Sequence, residues 1–353
     1  MDFDFSESQR VIATSAAEVL AAADQDSAWK ALAKAGLLAL TLPARLGGDE
    51  LGVLDAAMLL TEVGRQAASL PALATIMLGA LPVTRWGDDG LQDLVLAGVA
   101  AGEVILTAGV REQSVPQPMM PSVTADLGPD GAGTVTGTKV GVPYAGEATW
   151  ILVPATVVSG GRTVVVVERA AAGVTVIPTP TSGAAPEHTV RLDGAPIAGV
   201  LGGDQAVDDL YRLAIGGAAA LGDGLVAGAL HLTAGYIARR EQFGKPLATF
   251  QAVAQQIADV YVTSRTLHLA ALSACWRLDQ GLAAAEDLDV AAYWLAREAP
   301  AALRTCHHLH GGIGLDVEYP LPRYSSAISD LVRFTGGADY RLEILATGSD
   351  DAH

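Results

Sequence analysis

A chain of 353 residues, half of them hydrophobic, is too long for one small core and carries apolar material enough for two or three domains. Its formal charge of −17 argues against nucleic acid or an anionic membrane as the main partner, because both demand a basic footprint. Only two cysteines occur, Cys275 and Cys306, both in apolar helical surroundings, which excludes a disulfide framework or a cysteine-built metal site and fits a reducing compartment.

The N-terminal residues include acidic side chains where a secretory signal would carry basic ones, and no apolar run approaches the ~20 residues of a membrane span, so a cytoplasmic protein is expected. From Ser6 to about Gly98 the pattern is helical. Ser6 and Gln9 have the spacing of a capping box, and Ile12, Ala16 and Val19 follow at helical period. Trp29, Leu32, Ala35 and Leu38 continue that period, and Leu54, Met58, Leu59 and Val63 form a second amphipathic run. Residues 1–103 therefore read as an N-terminal helical domain. Between 104 and 203 short β-rich runs separated by turn signals predict a small antiparallel β domain, with Gly160-Gly161 closing a hairpin. The helical period returns over 204–353, first in a small-residue helix whose Ala and Gly allow close packing, then in a long one near Gln251 to Leu278.

The stretch Tyr236 to Gln251, YIARREQFGKPLATFQ, sets an arginine, an amide and an aromatic close together in Arg240, Gln242 and Phe243 before Gly244 and Pro246 break the helix. Phe250 and Gln251 follow the break. A guanidinium at such a corner can grip a phosphate through two parallel hydrogen bonds, while a Phe offers a flat apolar surface to a ring. That chemistry suits a nucleotide.

This spacing resembles the signature of the acyl-CoA dehydrogenase family, where the segment contacts the FAD bound mainly by the neighbouring subunit. A second block, HHLHGGIGLDVEYP, resembles the family's Gln-x-x-Gly-Gly-x-Gly and Glu-Tyr-Pro run, with His308 in the place of the Gln and Gly311 and Gly312 in the places of the paired glycines. The resemblance implies the family's architecture of an N-terminal helical domain, an antiparallel β domain and a C-terminal four-helix bundle. It also implies FAD contacts from Arg240, Gln242, Phe243, Phe250, Gln251, His308, Gly311 and Gly312. His307, His308 and His310 invite a metal reading, but no carboxylate or further ligand stands at matching spacing, so surface or core roles are expected and no metal.

Elsewhere the chain departs from the family. The Tyr-Glu-Gly-Thr motif that carries the catalytic base falls on Phe334, Thr335, Gly336 and Gly337, and a threonine hydroxyl is no base near neutral pH. The upstream Arg-Asp pair is replaced by Ser326 and Ala327. The alternative base position on the earlier helix falls within Ala214 to Ala220, without a carboxylate; Asp223 is the nearest acid, either a base or a polar helix contact. The flavin motif at the start of the β domain is absent from LTAGVREQSVPQPMMPS. No catalytic residue is therefore assigned to this chain.

Groups that would serve a flavin in the same chain are missing, and those that would serve a neighbour's flavin remain. This pattern resembles the smaller, catalytically incomplete subunit of the actinobacterial α2β2 acyl-CoA dehydrogenases that act on CoA thioesters of the cholesterol side chain. The resemblance implies a homologous catalytic partner in a heterotetramer, an acyl-CoA substrate and an electron-transfer acceptor. Two alternatives stay open at this point: a non-catalytic scaffold or regulatory subunit, and a self-sufficient homotetramer with an unrecognised base.

Overall fold

In the computed structural model, residues 5–128, 131–183 and 185–348 are described; Asp2 and Asp4 of the acidic leader and the outer ends of the first and last expected domains lie outside them. Helix α1 (Glu7–Ala22) opens with the expected capping box: the Gln9 amide donates to Ser6 Oγ at 3.2 Å and the Ser6 amide donates back to Gln9 Oε1 at 3.0 Å. Ile12, Ala16 and Leu20 form its buried stripe, with Val19 half-buried at the margin. Helix α2 (Ala28–Lys34) buries Trp29 and Leu32 but does not continue to Ala35 as expected. Gly36, at φ 78°, ends it in a left-handed turn in which Leu37 donates to Leu32 O and Gly36 to Ala33 O, leaving Ala35 exposed and Leu38 buried beyond the helix. Helix α3 (Val53–Arg65) buries Leu54, Met58, Leu59 and Val63 as their spacing predicts. A π-helical turn, Leu73–Ala80, then leads into α4 (Leu81–Trp86) and α5 (Asp89–Leu96).

Strands β1 (Leu106–Ala108), β2 (Thr124–Leu127), β3 (Gly133–Pro143), β4 (Trp150–Val157), β5 (Arg162–Glu168), β6 (Val174–Thr179), β7 (Glu187–Pro196) and β8 (Gly199–Leu201) form one sheet. Its order is β6-β7-β3-β2-β4-β5-β8. The expected Gly160-Gly161 hairpin joins β4 to β5, with the Val157 amide donating to Gly161 O at 3.0 Å. The sheet is mixed, however, where a purely antiparallel one was expected. β1 runs parallel to β4 opposite residues 150–152, and β2 runs parallel to it opposite 156–157, so the two lie end to end along one edge. Hairpin turns announce antiparallel neighbours locally, whereas a parallel pairing joins strands distant in sequence and leaves no turn signal. Val135, Ile151, Val165 and Val190 are fully buried at the sheet's core.

The chain forms two compact units, one of residues 1–59, 69–181 and 185–214, the other of 60–68, 182–184 and 215–353. Helix α6 (Asp204–Arg239) carries the small residues whose packing the sequence foretells, and the second unit gathers around it α7 (Gln251–Asp279), α8 (Ala285–Arg297), α9 (Ala299–His310), α10 (Leu321–Thr335) and α11 (Ala338–Gly348). A methyl group at Gly224 would lie 1.9 Å from Thr61 O, and one at Gly228 would lie 2.2 Å from Arg65 O, so these glycines admit the end of α3 at backbone contact. Gly222 instead makes room for the side chain of Leu295 on α8, whose Cδ1 would lie 2.3 Å from a methyl group there. By length and composition α6 is apolar enough to cross a membrane, contrary to the reading of the sequence, but 83% of its apolar window is buried inside the protein. Its apolarity fills the helical core.

Candidate functional site

Helix α6 stops at Arg239, and the chain turns back at once in a two-residue hairpin whose arms are β9 (Glu241–Gln242) and β10 (Lys245–Pro246). Phe243 and Gly244 occupy the turn at φ 54° and 78°. Both central residues at positive φ are the signature of the turn that matches strand twist, and Phe tolerates it only with strain. Phe243 is nonetheless 91% exposed. Arg240 is anchored through its backbone, donating to Tyr236 O at 2.9 Å and accepting from Leu247 at 2.8 Å, so its exposed side chain springs from a fixed point. Phe250 caps α7 through its extended backbone, its ring edge-on to Phe243 at 6.2 Å and 4.3 Å from Lys245 Nζ. Gln242 and Gln251 are exposed on either side of the break. The start of the 29-residue α7 adds partial positive charge from its unpaired amides. Arg240 and Lys245 stand beside it.

The second block is tied to the end of α6 through Tyr236. Tyr236 donates its hydroxyl to His310 O at 3.3 Å and stacks on the His310 ring at 4.5 Å, and Tyr319 meets the same ring edge-on at 5.3 Å. Gly311 follows at φ 65°, ψ −143°, a conformation open only to glycine. A methyl group at Gly311 or Gly312 would meet nothing within 4 Å, so a ligand has free approach to this backbone. His308 is exposed beside it; His307 Nε2 bonds Ser325 Oγ at 3.0 Å and His310 Nδ1 donates to Cys306 O at 2.8 Å. A guanidinium, two side-chain amides, an exposed Phe and an open glycine backbone together form a set that fits a pyrophosphate-bearing nucleotide such as FAD. In the sequence His310 stands out only as a candidate metal ligand and Tyr319 only within the Glu-Tyr-Pro run, and neither is assigned there to the nucleotide corner. The Tyr236-to-His310 tie joins elements far apart in the chain and has no local signature.

At the positions of the catalytic motif the structure is closed. Thr335 is fully buried at the end of α10, its hydroxyl donating to Leu331 O and Val332 O at 3.1 Å and its carbonyl accepting from Arg341 Nε at 2.7 Å. Arg341, itself 2% exposed, also bonds Asp289 at 3.0 Å. Gly336 at φ 96° and Gly337 then close the helix in the left-handed conformation. Asp223 is turned to the interior of the helical unit, 2.8 Å from His268 Nδ1 on α7, near Glu62, whose carboxyl burial pushes up against the opposing pull of Arg65. Asp330 holds the amides of Ser182 and Gly183 at 2.9 and 2.8 Å.

The stretch that stands where the family keeps its own-chain flavin motif is occupied by a buried ion pair. Glu112 accepts from Lys139 Nζ at 2.7 Å and from the amides of Ser122 and Val123 at 2.7 and 3.2 Å. Lys139 is wholly enclosed, and burial lowers its pKa to about 8 despite the adjacent carboxylate. Nearby, a methyl group at Gly141 (φ 59°) would lie 2.5 Å from Arg111 Nη1 and 3.1 Å from Glu187 Oε2. Lys139 shares the inward-facing register of β3 with Val135, so the alternation along the strand already places its ammonium inside.

Two family models match the chain: "Acyl-CoA dehydrogenase, N-terminal domain" over residues 7–103 and "Acyl-CoA dehydrogenase, C-terminal domain" over 209–348. The chain belongs to the acyl-CoA dehydrogenase family. It is similar to acyl-CoA dehydrogenase FadE28 of Mycobacterium tuberculosis, with 47% identity over 98% of each chain. With FadE27 of the same organism it shares 33% identity over 89% of this chain and 85% of the relative. Among solved structures, the ChsE4-ChsE5 complex from Mycobacterium tuberculosis superposes with a TM-score of 0.90 at 30% identity, covering 100% of this chain and 99% of that one. The Tcur3481-Tcur3483 steroid ACAD G363A variant gives 0.90 at 31% identity over 98% and 99%.

Proposed function

We propose that this chain is the FAD-completing subunit of a heteromeric acyl-CoA dehydrogenase, which forms the α,β double bond of an acyl-CoA thioester and is active only with a homologous partner. The observation that carries this reading is an asymmetry within the chain. The base position is a buried helix cap at Thr335, and the own-chain flavin stretch is filled by Glu112 and Lys139. Meanwhile Arg240, Gln242, Phe243, Gln251 and His308 are exposed, Gly311 and Gly312 have open space where a Cβ would stand, and Tyr236 ties the two segments together through His310, which supports one shared corner. Loss of function through drift would spare neither half.

In this reading Arg240 grips the pyrophosphate of the partner's flavin, Phe243 and Phe250 cover its ring surfaces, and the Gly311-Gly312 backbone receives its adenosine half. The flavin supplies the hydride acceptor. The α-proton is taken by a base of the partner, since Thr335 cannot act as one. The reading divides the chain into an N-terminal helical domain (1–103), a β domain (104–203) and a C-terminal bundle (204–353), in line with the order of its elements. The ChsE4-ChsE5 complex and the Tcur3481-Tcur3483 steroid ACAD variant each pair two proteins, which supports a heteromeric assembly and a steroid substrate; the finer reading is an α2β2 heterotetramer acting on a steroid side-chain CoA ester, as in cholesterol degradation. Reduced flavin would pass its electrons to a separate electron-transfer acceptor.

The test is purification of the chain alone and with its co-encoded homologue, each assayed for flavin absorbance and for dehydrogenation of acyl-CoA thioesters. The reading expects colour and turnover only from the complex. A yellow, active chain on its own would overturn it in favour of a self-sufficient homotetramer, and an active complex whose flavin is indifferent to Arg240 would leave only a scaffold role.

A further inference from the structure

We propose that His310 is the positioning residue of this corner, clamped by its contacts with Tyr236 and Tyr319 so that the Arg240 segment and the Gly311-Gly312 backbone meet a nucleotide in one fixed geometry. The inference rests on the reading that the corner takes a flavin nucleotide, and adds a residue that touches no ligand itself. Tyr236 lies on α6 four residues before Arg240, and the Arg240 amide donates directly to Tyr236 O at 2.9 Å. The same Tyr236 holds His310 twice, through the 3.3 Å bond to its carbonyl and the 4.5 Å ring stack. That carbonyl belongs to the peptide leading into Gly311, whose glycine-only conformation sets the direction of the open backbone. Every shift of the His310 ring is thus passed to both halves of the corner.

The ring's hydrogen bonding fixes its state. Nδ1 faces Cys306 O at 2.8 Å and must carry the proton, whereas Nε2 is buried and has no hydrogen-bond partner. A proton on Nε2 would be an unpaired buried donor, and burial accordingly holds this imidazole below its usual pKa, aided by neighbouring His307. Tyr319 meets the ring edge-on from the loop beyond the glycines. A solvated helix-end histidine would need none of these contacts.

The experiment compares FAD affinity, read by flavin fluorescence on apo-complex titrated with FAD, with thermal stability and elution volume for the complex carrying His310→Ala, His310→Phe, Tyr236→Phe or Arg240→Ala. His310→Ala is expected to weaken FAD binding about tenfold or more at normal assembly, and His310→Phe, which keeps the clamped ring, to recover most of that loss. Tyr236→Phe, which removes only the hydroxyl bond, is expected to cost about threefold to tenfold. It decides the matter should His310→Ala fail to assemble. A role confined to folding would lower the melting temperature and leave the affinity of the assembled complex unchanged; that result for His310→Ala, or unchanged affinity in Tyr236→Phe, overturns the inference. Unchanged affinity in Arg240→Ala overturns the nucleotide reading and this inference with it, whereas loss in Arg240→Ala alone overturns only the clamp.

Discussion

The Glu112–Lys139 pair offers the sharpest test of how the β-rich part of the chain is held together. Replacing Glu112 with Gln preserves shape, but it strips Lys139 of its counter-charge in a site with no solvent exposure and leaves a single oxygen where the Ser122 amide uses Oε2 and the Val123 amide and Lys139 use Oε1, so one of these donors also loses its acceptor. Breaking one side of a buried pair typically costs about 3 to 5 kcal/mol, because the uncompensated charge remains inside. For a unit of this size that corresponds to a fall of roughly 6 to 20 °C in melting temperature. The double variant Glu112→Gln/Lys139→Met should lose much less than the two single losses combined, with a coupling of about 2 kcal/mol or more. Differential scanning calorimetry of the four proteins measures this directly. The pH dependence gives a second handle. The buried Lys139 releases its proton near pH 8 in the folded chain, against 10.5 for a free lysine, so between those values the unfolded state binds more protons. Rising pH across that window therefore stabilises the wild type relative to Lys139→Met. Single variants within about 0.5 kcal/mol of wild type, or a flat difference curve from pH 8 to 10, would refute this account of the pair.

Arg240→Ala should lower flavin affinity of the complex at least about tenfold, because charge-assisted bonds are worth ~1.5 to 3 kcal/mol each, and Arg240→Lys should recover only part of it, as an ammonium lacks the fork. Thr335→Glu should gain no dehydrogenase activity and should lose stability, since the new carboxylate would replace a fully buried hydroxyl bonded to its own helix; turnover by the variant chain alone would contradict this. Cys275 and Cys306 are both buried, and burial pushes the Cys275 thiol up to about 12, so mass spectrometry should find neither alkylated by iodoacetamide at pH 8 until the chain is unfolded. Ser6→Ala removes the capping hydroxyl of α1 and should cost about 1 kcal/mol, visible as faster hydrogen exchange confined to the first turns of that helix.

Much of this architecture was legible where local chemistry decides it. Ser6 with Gln9, Gly160-Gly161, and the break from Arg239 to Gln251 each announce their structure within a few residues, and each stands as read. What escaped the sequence depends on partners remote along the chain. The parallel pairing of β1 and β2 with β4 has no turn to mark it, and Ala35 follows helical spacing although Gly36 had already ended the helix. The apolar length of α6 looked unremarkable because its glycines and polar residues interrupt the run, yet its burial depends on helices that close over it. At the corner, Arg240 and the paired glycines were visible as motifs. The Tyr236–His310–Tyr319 clamp that joins them was not, since no spacing rule connects residues on α6, α9 and the loop that follows.

The central claim is that this chain lends one half of a flavin site and lacks the other. The most direct measurement is the flavin count of the intact complex, from absorbance after denaturation set against its mass by light scattering, beside the same count for the chain alone. The account predicts about one FAD per heterodimer and none on the isolated chain. Two FAD per heterodimer, or stoichiometric FAD on the chain by itself, would mean that its own β-rich half binds flavin after all and would contradict the account.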